Sequence, residues 1–270
     1  MTAGAISYEI SDTDDINSSA YIERAILDSG ARRVVDIGGG ANPLVPLDFV
    51  TAHDITYTIL DISADELAKA PAGYLTMQAD IGAGELAGGG DHDLVISKML
   101  AEHIDDAEAF HRNVYGLLRP GGRAIHLFPT LYAPPFVVNR VIPESVSRSV
   151  LRRLSGRERV RDGELRKFPA YYHWCRGPIP RQLARLEHIG FEVERYIGYF
   201  GSTAYFTRFP RLARADSAVA RWLVRHPAPW ITTYARVTLR KPLDATRAAS
   251  ASSRPGAARR RRQALRTTHV

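Results

Sequence analysis

Apolar and polar positions along this 270-residue chain fall into two alternating rhythms. Short apolar runs, rich in β-branched residues and bounded by turn formers, predict strands at Arg33–Ile37, Ile55–Leu60, Tyr74–Met77, Asp93–Ser97, Arg123–Phe128, Phe191–Ile197 and Ile231–Leu239. Between them run stretches with the 3.6-residue period. Asn17 to Gly30 predicts a helix, with Ile22, Ile26 and Leu27 on one face and Gly30 as its stop. Ser63-Ala64-Asp65-Glu66 has the form of a capping box and opens a short helix that Pro71-Ala72-Gly73 ends. Asp105 or Asp106 caps a helix whose Phe110, Val114, Leu117 and Leu118 keep helical spacing. Pro178 and Pro180 start another, with Leu183, Leu186 and Ile189 inward and Gly190 after it. Strand and helix alternate through residue 197, which predicts a parallel sheet covered on both faces. There is no internal repeat.

Ligands of such sheets sit beyond the carboxyl ends of the strands, near the switch point. Several unusual residues fall there. The first strand runs into Val34-Val35-Asp36-Ile37-Gly38-Gly39-Gly40-Ala41-Asn42-Pro43. Glycine costs chain entropy, so three in succession require a reason, and a small molecule lying against the main chain is one. Asp61, Asp80 and Ser97 also stand just after strands. A dinucleotide fingerprint, G-x-G-x-x-G opening a helix, fits poorly. Pro43 occupies the third glycine's place, and Asp36, two residues before the first glycine, would repel a pyrophosphate. A ligand with a positive group suits that acid better, so a NAD-linked oxidoreductase is a rival reading only.

At these residues the chain resembles the class I S-adenosylmethionine-dependent methyltransferases, especially the small-molecule type. Asp36-Ile37-Gly38-Gly39-Gly40-Ala41-Asn42 is similar to their first motif, with Asn42 where the last glycine usually stands. The resemblance implies that Asp36, Gly38, Gly39, Gly40 and Asn42 form the cofactor loop. It implies that Asp61 holds both ribose hydroxyls, that Asp80 contacts the adenine amino group, and that Ile62 and Ile81 supply apolar faces for the purine. Asp93 to Lys98 resembles the fourth motif, so Ser97 and Lys98 are expected beside the methyl-transfer site. Leu117 to Gly122 resembles the turn before the fifth strand. The implied fold is a Rossmann-like α/β sheet of seven strands, the last antiparallel, with helices on both faces. The implied chemistry is transfer of the sulfonium methyl of S-adenosyl-L-methionine to an acceptor, leaving S-adenosyl-L-homocysteine.

Removing a proton from a hydroxyl or ammonium acceptor needs a base. His103, in "AEHIDD" after the fourth motif, is the first candidate, against a purely structural role for Glu102 and His103 as a cap. His173 is the second. It lies in Phe168-Pro169-Ala170-Tyr171-Tyr172-His173-Trp174, the aromatic end of an insert, 129–177, that is too long for an ordinary connection. This insert is expected to be a lid over the acceptor, although the same aromatics would equally pin it to the core. His126 is expected to pack inside its strand and His111 to lie at the surface. Residues 137–167 carry nine Lys/Arg against four Asp/Glu, around an apolar face of Val146, Val150, Leu151 and Leu154. A basic amphipathic helix of this kind can lie on an anionic membrane.

The net charge of +7 changes the picture through its location. Seven arginines against Asp244 sit in 243–270, including Arg259 to Arg262, and this Ala/Ser/Arg-rich tail has little to bury. The expected division is 1–30 as N-terminal cap segment and helix, 31–242 as methyltransferase domain with the lid insert at 129–177 and a second excursion at 200–230, and 243–270 as a disordered basic tail. A small-molecule or lipid-linked acceptor, on oxygen or nitrogen rather than carbon, is favoured. The rival is a protein that binds or methylates RNA or other nucleic acid through the insert and tail. A protein of this fold that acts only as a scaffold is a third reading. The single cysteine, Cys175, excludes a disulfide framework and a multi-cysteine metal site, and no metal is expected. Glu9, Asp12, Asp14 and Asp15 stand where a basic apolar leader would, and no run is apolar enough to span a bilayer, so a cytoplasmic protein is expected.

Overall fold

The computed structural model describes residues 5–11, 19–86, 89–131, 169–202, 206 and 209–243. The elements in chain order are β1 (Ala5–Ile10), α1 (Ala20–Ser29), β2 (Arg33–Ile37), α2 (Leu47–Ala52), β3 (Thr56–Asp61), α3 (Ala64–Ala68), β4 (Leu75–Gln78), β5 (His92–Lys98), α4 (Ala107–Leu117), β6 (Leu118–Pro129), α5 (Pro180–Ile189), β7 (Glu192–Phe200), α6 (Pro210–Arg225) and β8 (Tyr234–Arg240). One sheet contains all eight described strands in the order β1-β7-β8-β6-β5-β2-β3-β4. All pairings are parallel except those of β8, which is antiparallel to both β6 and β7. The seven expected strands are present, and β1 is added to them. It extends the sheet beyond β7, so Ala5–Ile10 belongs to the sheet itself. Its sequence, AISYEI, alternates apolar with polar residues as a half-exposed edge strand does.

The sheet separates two cores. On one face Ile26 of α1 and Val50 of α2 pack on Val34, Ile59, Leu94, Ile96 and Ile125. On the other, Phe110, Val114 and Leu117 of α4 and Leu186 of α5 pack on Val35, Ile37, Leu60, Val95 and Val237. The central strands are apolar on both sides, as a doubly covered parallel sheet requires.

Helix ends follow local chemistry. Gly30 closes α1 in the left-handed region, at φ 64°. Asp106 caps α4 by accepting from the amides of Glu108 and Ala109 at 3.0 and 2.9 Å. Lys241 then donates to the carbonyls of Tyr115 and Leu118 at 2.9 and 2.7 Å, a cation on the helix's C-terminal carbonyls. Ser63 caps α3 through the Glu66 amide, 3.2 Å, while its own amide donates to Asp61 Oδ1 at 2.9 Å. The excursion at 200–230 contains α6, which packs Ala220 and Leu223 against Phe200 and Tyr8. That helix has no sequence cap beyond Pro210, and its Arg-rich surface weakens the periodic signal.

Candidate functional site

The carboxyl ends of β2, β3 and β5 meet at one rim of the sheet, and the glycine bend lies across it. Gly38 takes φ 77° and Gly40 φ 43°, while its amide ties Gly38 to Leu60 O of β3 at 2.7 Å. Each glycine has its own reason. A Cβ at Gly38 would lie 2.9 Å from Leu100 Cδ1, one at Gly39 2.7 Å from Asp36 Oδ2, and one at Gly40 3.1 Å from Asp61 Oδ2. The close approach is therefore made partly by the protein itself, with the two flanking carboxylates below and beside the bend. Asn42 is not left-handed; its amide closes a turn to Gly39 O at 2.8 Å, so the site needs no glycine there.

Asp36 is completely buried under this bend. Its Oδ2 accepts from the Leu44 amide and the Tyr57 hydroxyl, both at 2.8 Å, which pins the far end of the loop to β3. Its Oδ1 is buried without a hydrogen-bond partner. Burial pushes the carboxyl up to about 6, with the two hydrogen bonds opposing. Asp36 thus holds the loop from behind. Tyr57 escaped the sequence reading because it lies a whole βα unit away and has the composition of an ordinary strand residue.

Asp61 ends β3 half-buried, with Oδ1 accepting from Ser63 N and Oδ2 toward Gly40. Ile62 beside it is 62% exposed, an apolar side chain held at the rim. Asp80 is exposed, and its Oδ1 accepts from the Gly82 amide at 2.9 Å. Ile81, in contrast, is buried among Ile37, Leu60 and Ala101, so its side chain belongs to the core beneath the rim. Ser97 is buried too, its hydroxyl 2.7 Å from His126 Nδ1, deep between the sheet and α4. Burial holds His126 far below its usual range, at about 3, and His111 at about 4. His111 is not at the surface. Trp174 stacks on it at 5.3 Å and covers the side of α4 that the sequence leaves open.

The ends of the insert are pinned to the turn after β5. Leu131 N donates to Cys175 O at 3.1 Å, and Tyr171 N and Tyr172 N donate to Glu102 O at 2.8 and 3.1 Å. Both candidate bases sit in this seam. His103 Nδ1 lies 2.7 Å from Pro169 O, and His173 Nδ1 lies 2.5 Å from Asp105 O. A carbonyl only accepts, so Nδ1 carries the hydrogen in each ring and Nε2 is the nitrogen that takes up a proton. Glu102, whose Oε1 lies 3.8 Å from His103 Nε2, is 5% exposed, and burial pushes its carboxyl up to about 7. The expected helix around Val146 to Leu154, the basic residues of 137–167 and the arginines of the tail lie outside the described residues.

A cavity of about 310 Å³ opens between α1 and the sheet. It is lined by Tyr21 and Ile22 of α1, Pro43 and Leu44 after the glycine bend, Ser97 and Lys98 at the end of β5, and Arg236 of β8. His103 and His173 do not line it. Among the described residues no cluster of His, Cys, Asp or Glu could hold a metal, and no helix is long and apolar enough to cross a membrane.

Comparison with known proteins follows the same geometry. Residues 35–126, from β2 to the middle of β6, match a family described as a methyltransferase domain. No curated protein matches the chain. Among solved structures, an S-adenosylmethionine-dependent methyltransferase from Clostridium acetobutylicum is similar over 86% of this chain and 93% of its own, at 14% identity and a TM-score of 0.51. The [4+2]-cyclase SpnF is similar over 89% of each chain, at 16% identity and a TM-score of 0.50. A methyltransferase from Mesorhizobium loti aligns over 82% of this chain and 96% of its own, at 21% identity and a TM-score of 0.48. Residues 35–126 thus match a methyltransferase-domain family, and the fold around them is the one seen in S-adenosylmethionine-dependent methyltransferases.

Proposed function

We propose that this protein transfers the methyl group of S-adenosyl-L-methionine to a small-molecule acceptor. The observation that carries the reading is the glycine bend with the Asp61 carboxylate beside it, at the carboxyl rim of a doubly covered sheet. The residues present fit the cofactor. Gly38 to Gly40 leave main chain bare where a nucleoside can lie, and Asp61 Oδ2 is an acceptor for ribose hydroxyl donors. Ile62 offers an exposed apolar side chain to the purine, and Asp80 an exposed carboxylate to its amino group. Asp36 fixes the bend from below through Leu44 and Tyr57.

The bound cofactor supplies an electrophilic methyl on a sulfonium. What remains for the chain is to align the acceptor, exclude water and, for a protonated acceptor, remove a proton. Nε2 of His103 is the first candidate for that proton and Nε2 of His173 the second, each held in the required tautomer by a backbone carbonyl. The segment from Pro169 to Cys175, pinned over the turn after β5, supplies the aromatic wall of this side.

Isothermal titration with S-adenosylhomocysteine tests the reading. Binding at micromolar or tighter concentration is expected. Heat with NADH and none with S-adenosylhomocysteine would replace it with the oxidoreductase. SpnF, a [4+2]-cyclase of similar fold, shows why the titration must be followed by transfer of labelled methyl to an acceptor.

A further inference from the structure

Packing explains only one side of helix α6. Its inward row is Asp216, Ala220 and Leu223, the last two seated on Phe200 and Tyr8. The rest of its surface carries two stripes side by side. Leu212, Ala215, Val219 and Trp222 recur at three- and four-residue spacing and are all exposed, which puts them on one helical face. Arg211, Arg214, Arg221 and Arg225 keep the same rhythm and are exposed along the adjoining face. The one acid of the helix, Asp216, is turned inward, where its Oδ2 accepts from the Ser202 amide at 2.7 Å. The outward side of α6 therefore pairs an apolar stripe with a cationic one and offers no carboxylate. Trp222 is 56% exposed and stacks on His226 with ring centroids 4.8 Å apart. Trp230, on the way back to β8, is 63% exposed.

Leu, Val and Trp gain nothing by standing together in water, and an apolar stripe of this kind marks a surface that something covers. The arrangement fits the boundary of an anionic bilayer. There the apolar side chains enter the headgroup layer, tryptophan rings sit at the polar boundary, and arginines beside them meet lipid phosphates. A two-fold contact with a second copy centred on this face would instead bring arginine to arginine with no acid to answer them. Nucleic acid would answer the arginines and leave the apolar stripe in water. The position also suits a surface-bound enzyme. β7 and β6 are both antiparallel to β8, and β6 is parallel to β5, so Phe200, the last residue of β7, lies at the rim that carries the glycine bend. Helix α6, packed on Phe200, stands at that rim.

We propose that α6 is an interfacial helix that docks this protein on an anionic lipid bilayer, with Leu212, Val219 and Trp222 in the headgroup layer and Arg211, Arg214, Arg221 and Arg225 on the lipid phosphates. The inference stands on this surface and does not depend on the methyl-transfer reading.

Cosedimentation of the full chain with vesicles of phosphatidylcholine alone, and of phosphatidylcholine with about a third phosphatidylglycerol, tests it. Binding to the anionic vesicles is expected to be at least tenfold tighter and to weaken as salt is raised. Val219→Asp puts an acid into the apolar stripe and is expected to lower that affinity at least tenfold. Arg214→Gln combined with Arg221→Gln is expected to lower it at least threefold and decides the matter should the Val219 variant fold poorly. Both are exposed positions away from the glycine bend, so S-adenosylhomocysteine affinity should stay within twofold of the wild type. No vesicle binding, equal binding to neutral and anionic vesicles, or binding unchanged in the variants overturns the proposal; the last gives the attraction to other basic segments such as Arg259 to Arg262. Self-association in the ultracentrifuge that Val219→Asp abolishes, without vesicle binding, gives the face to a second copy and overturns it too. So does retention on RNA that the arginine variant loses, again without vesicle binding. A wild type that fails to bind S-adenosylhomocysteine overturns the methyltransferase reading alone, because the vesicle assay does not use the cofactor.

Discussion

Substituting Gly39 by alanine isolates the contact on which the bend is built. Gly39 does not need a left-handed backbone, so the change introduces no dihedral strain, and its effect is steric. The new Cβ would stand 2.7 Å from Asp36 Oδ2, 3.0 Å from Asp36 Cγ and 3.1 Å from Ile59 Cγ2. Ile59 and Asp36 are both completely buried, so neither can swing away. Overpacking of this kind costs about 1–3 kcal/mol. Displacing Oδ2 also loosens its bonds to Leu44 N and Tyr57 Oη, and hydrogen bonds to a charged group are worth about 1.5–3 kcal/mol each. Partial loss of one gives a total of about 2–4 kcal/mol by urea unfolding. S-adenosylhomocysteine affinity should fall at least tenfold, because Leu44 anchors the far end of the loop. The decisive assay is a double-mutant cycle with Asp36→Ala, which removes the carboxylate that the new methyl strikes. Gly39→Ala should then cost at least about 1 kcal/mol less in the Asp36→Ala background than in the wild type. Additivity within about 0.5 kcal/mol would show that the two residues do not touch and that the bend is built otherwise.

Three further outcomes are expected. Asp61→Ala should weaken S-adenosylhomocysteine binding by about 1–3 kcal/mol in calorimetry, since ribose hydroxyls lose a charged acceptor, and unchanged affinity would count against that assignment. Tyr57→Phe should destabilise the fold by about 1.5–3 kcal/mol in urea, because it withdraws a donor from a buried carboxylate whose other oxygen is unpartnered. Glu102 should make stability fall as pH rises. Its folded value, about 7, lies above its unfolded value of 4.5, so its contribution is complete below 4.5 and is lost as pH climbs through 7. Glu102→Gln should flatten the decline between pH 5 and pH 8 relative to the wild type, and parallel stability curves would refute it.

The strand pattern made most of this fold legible, because a parallel sheet buried on both faces forces continuous apolar runs at β2, β3, β5 and β6. The edge strand β1 was not, since a lone strand of alternating character takes its meaning only from Arg195 to Phe200 on β7, nearly two hundred residues away. The placement of Gly38 to Gly40 and Asp61 just after strands was legible because the turn and cap chemistry that sets it is local. The rim was not legible where the constraint is tertiary. Ile81 is apolar and follows a strand, which suits a purine face or a core position equally, and packing against Ile37 and Leu60 decides it. His111 has the spacing of a surface residue until Trp174 covers it. Arg236 sits inside an apolar strand where charge is unexpected, and only the register beside Lys98 shows that the two share a wall.

The central claim is that the bend at Gly38–Gly40 and the carboxylate of Asp61 cradle a sulfur nucleoside. Determining the structure of the protein crystallised with S-adenosylhomocysteine tests it most directly. Ribose hydroxyls within hydrogen-bonding distance of Asp61, with the nucleoside against the bare main chain of the bend, are the predicted result. A ligand bound elsewhere, with the rim between Gly38 and Asp61 closed by protein, would contradict it.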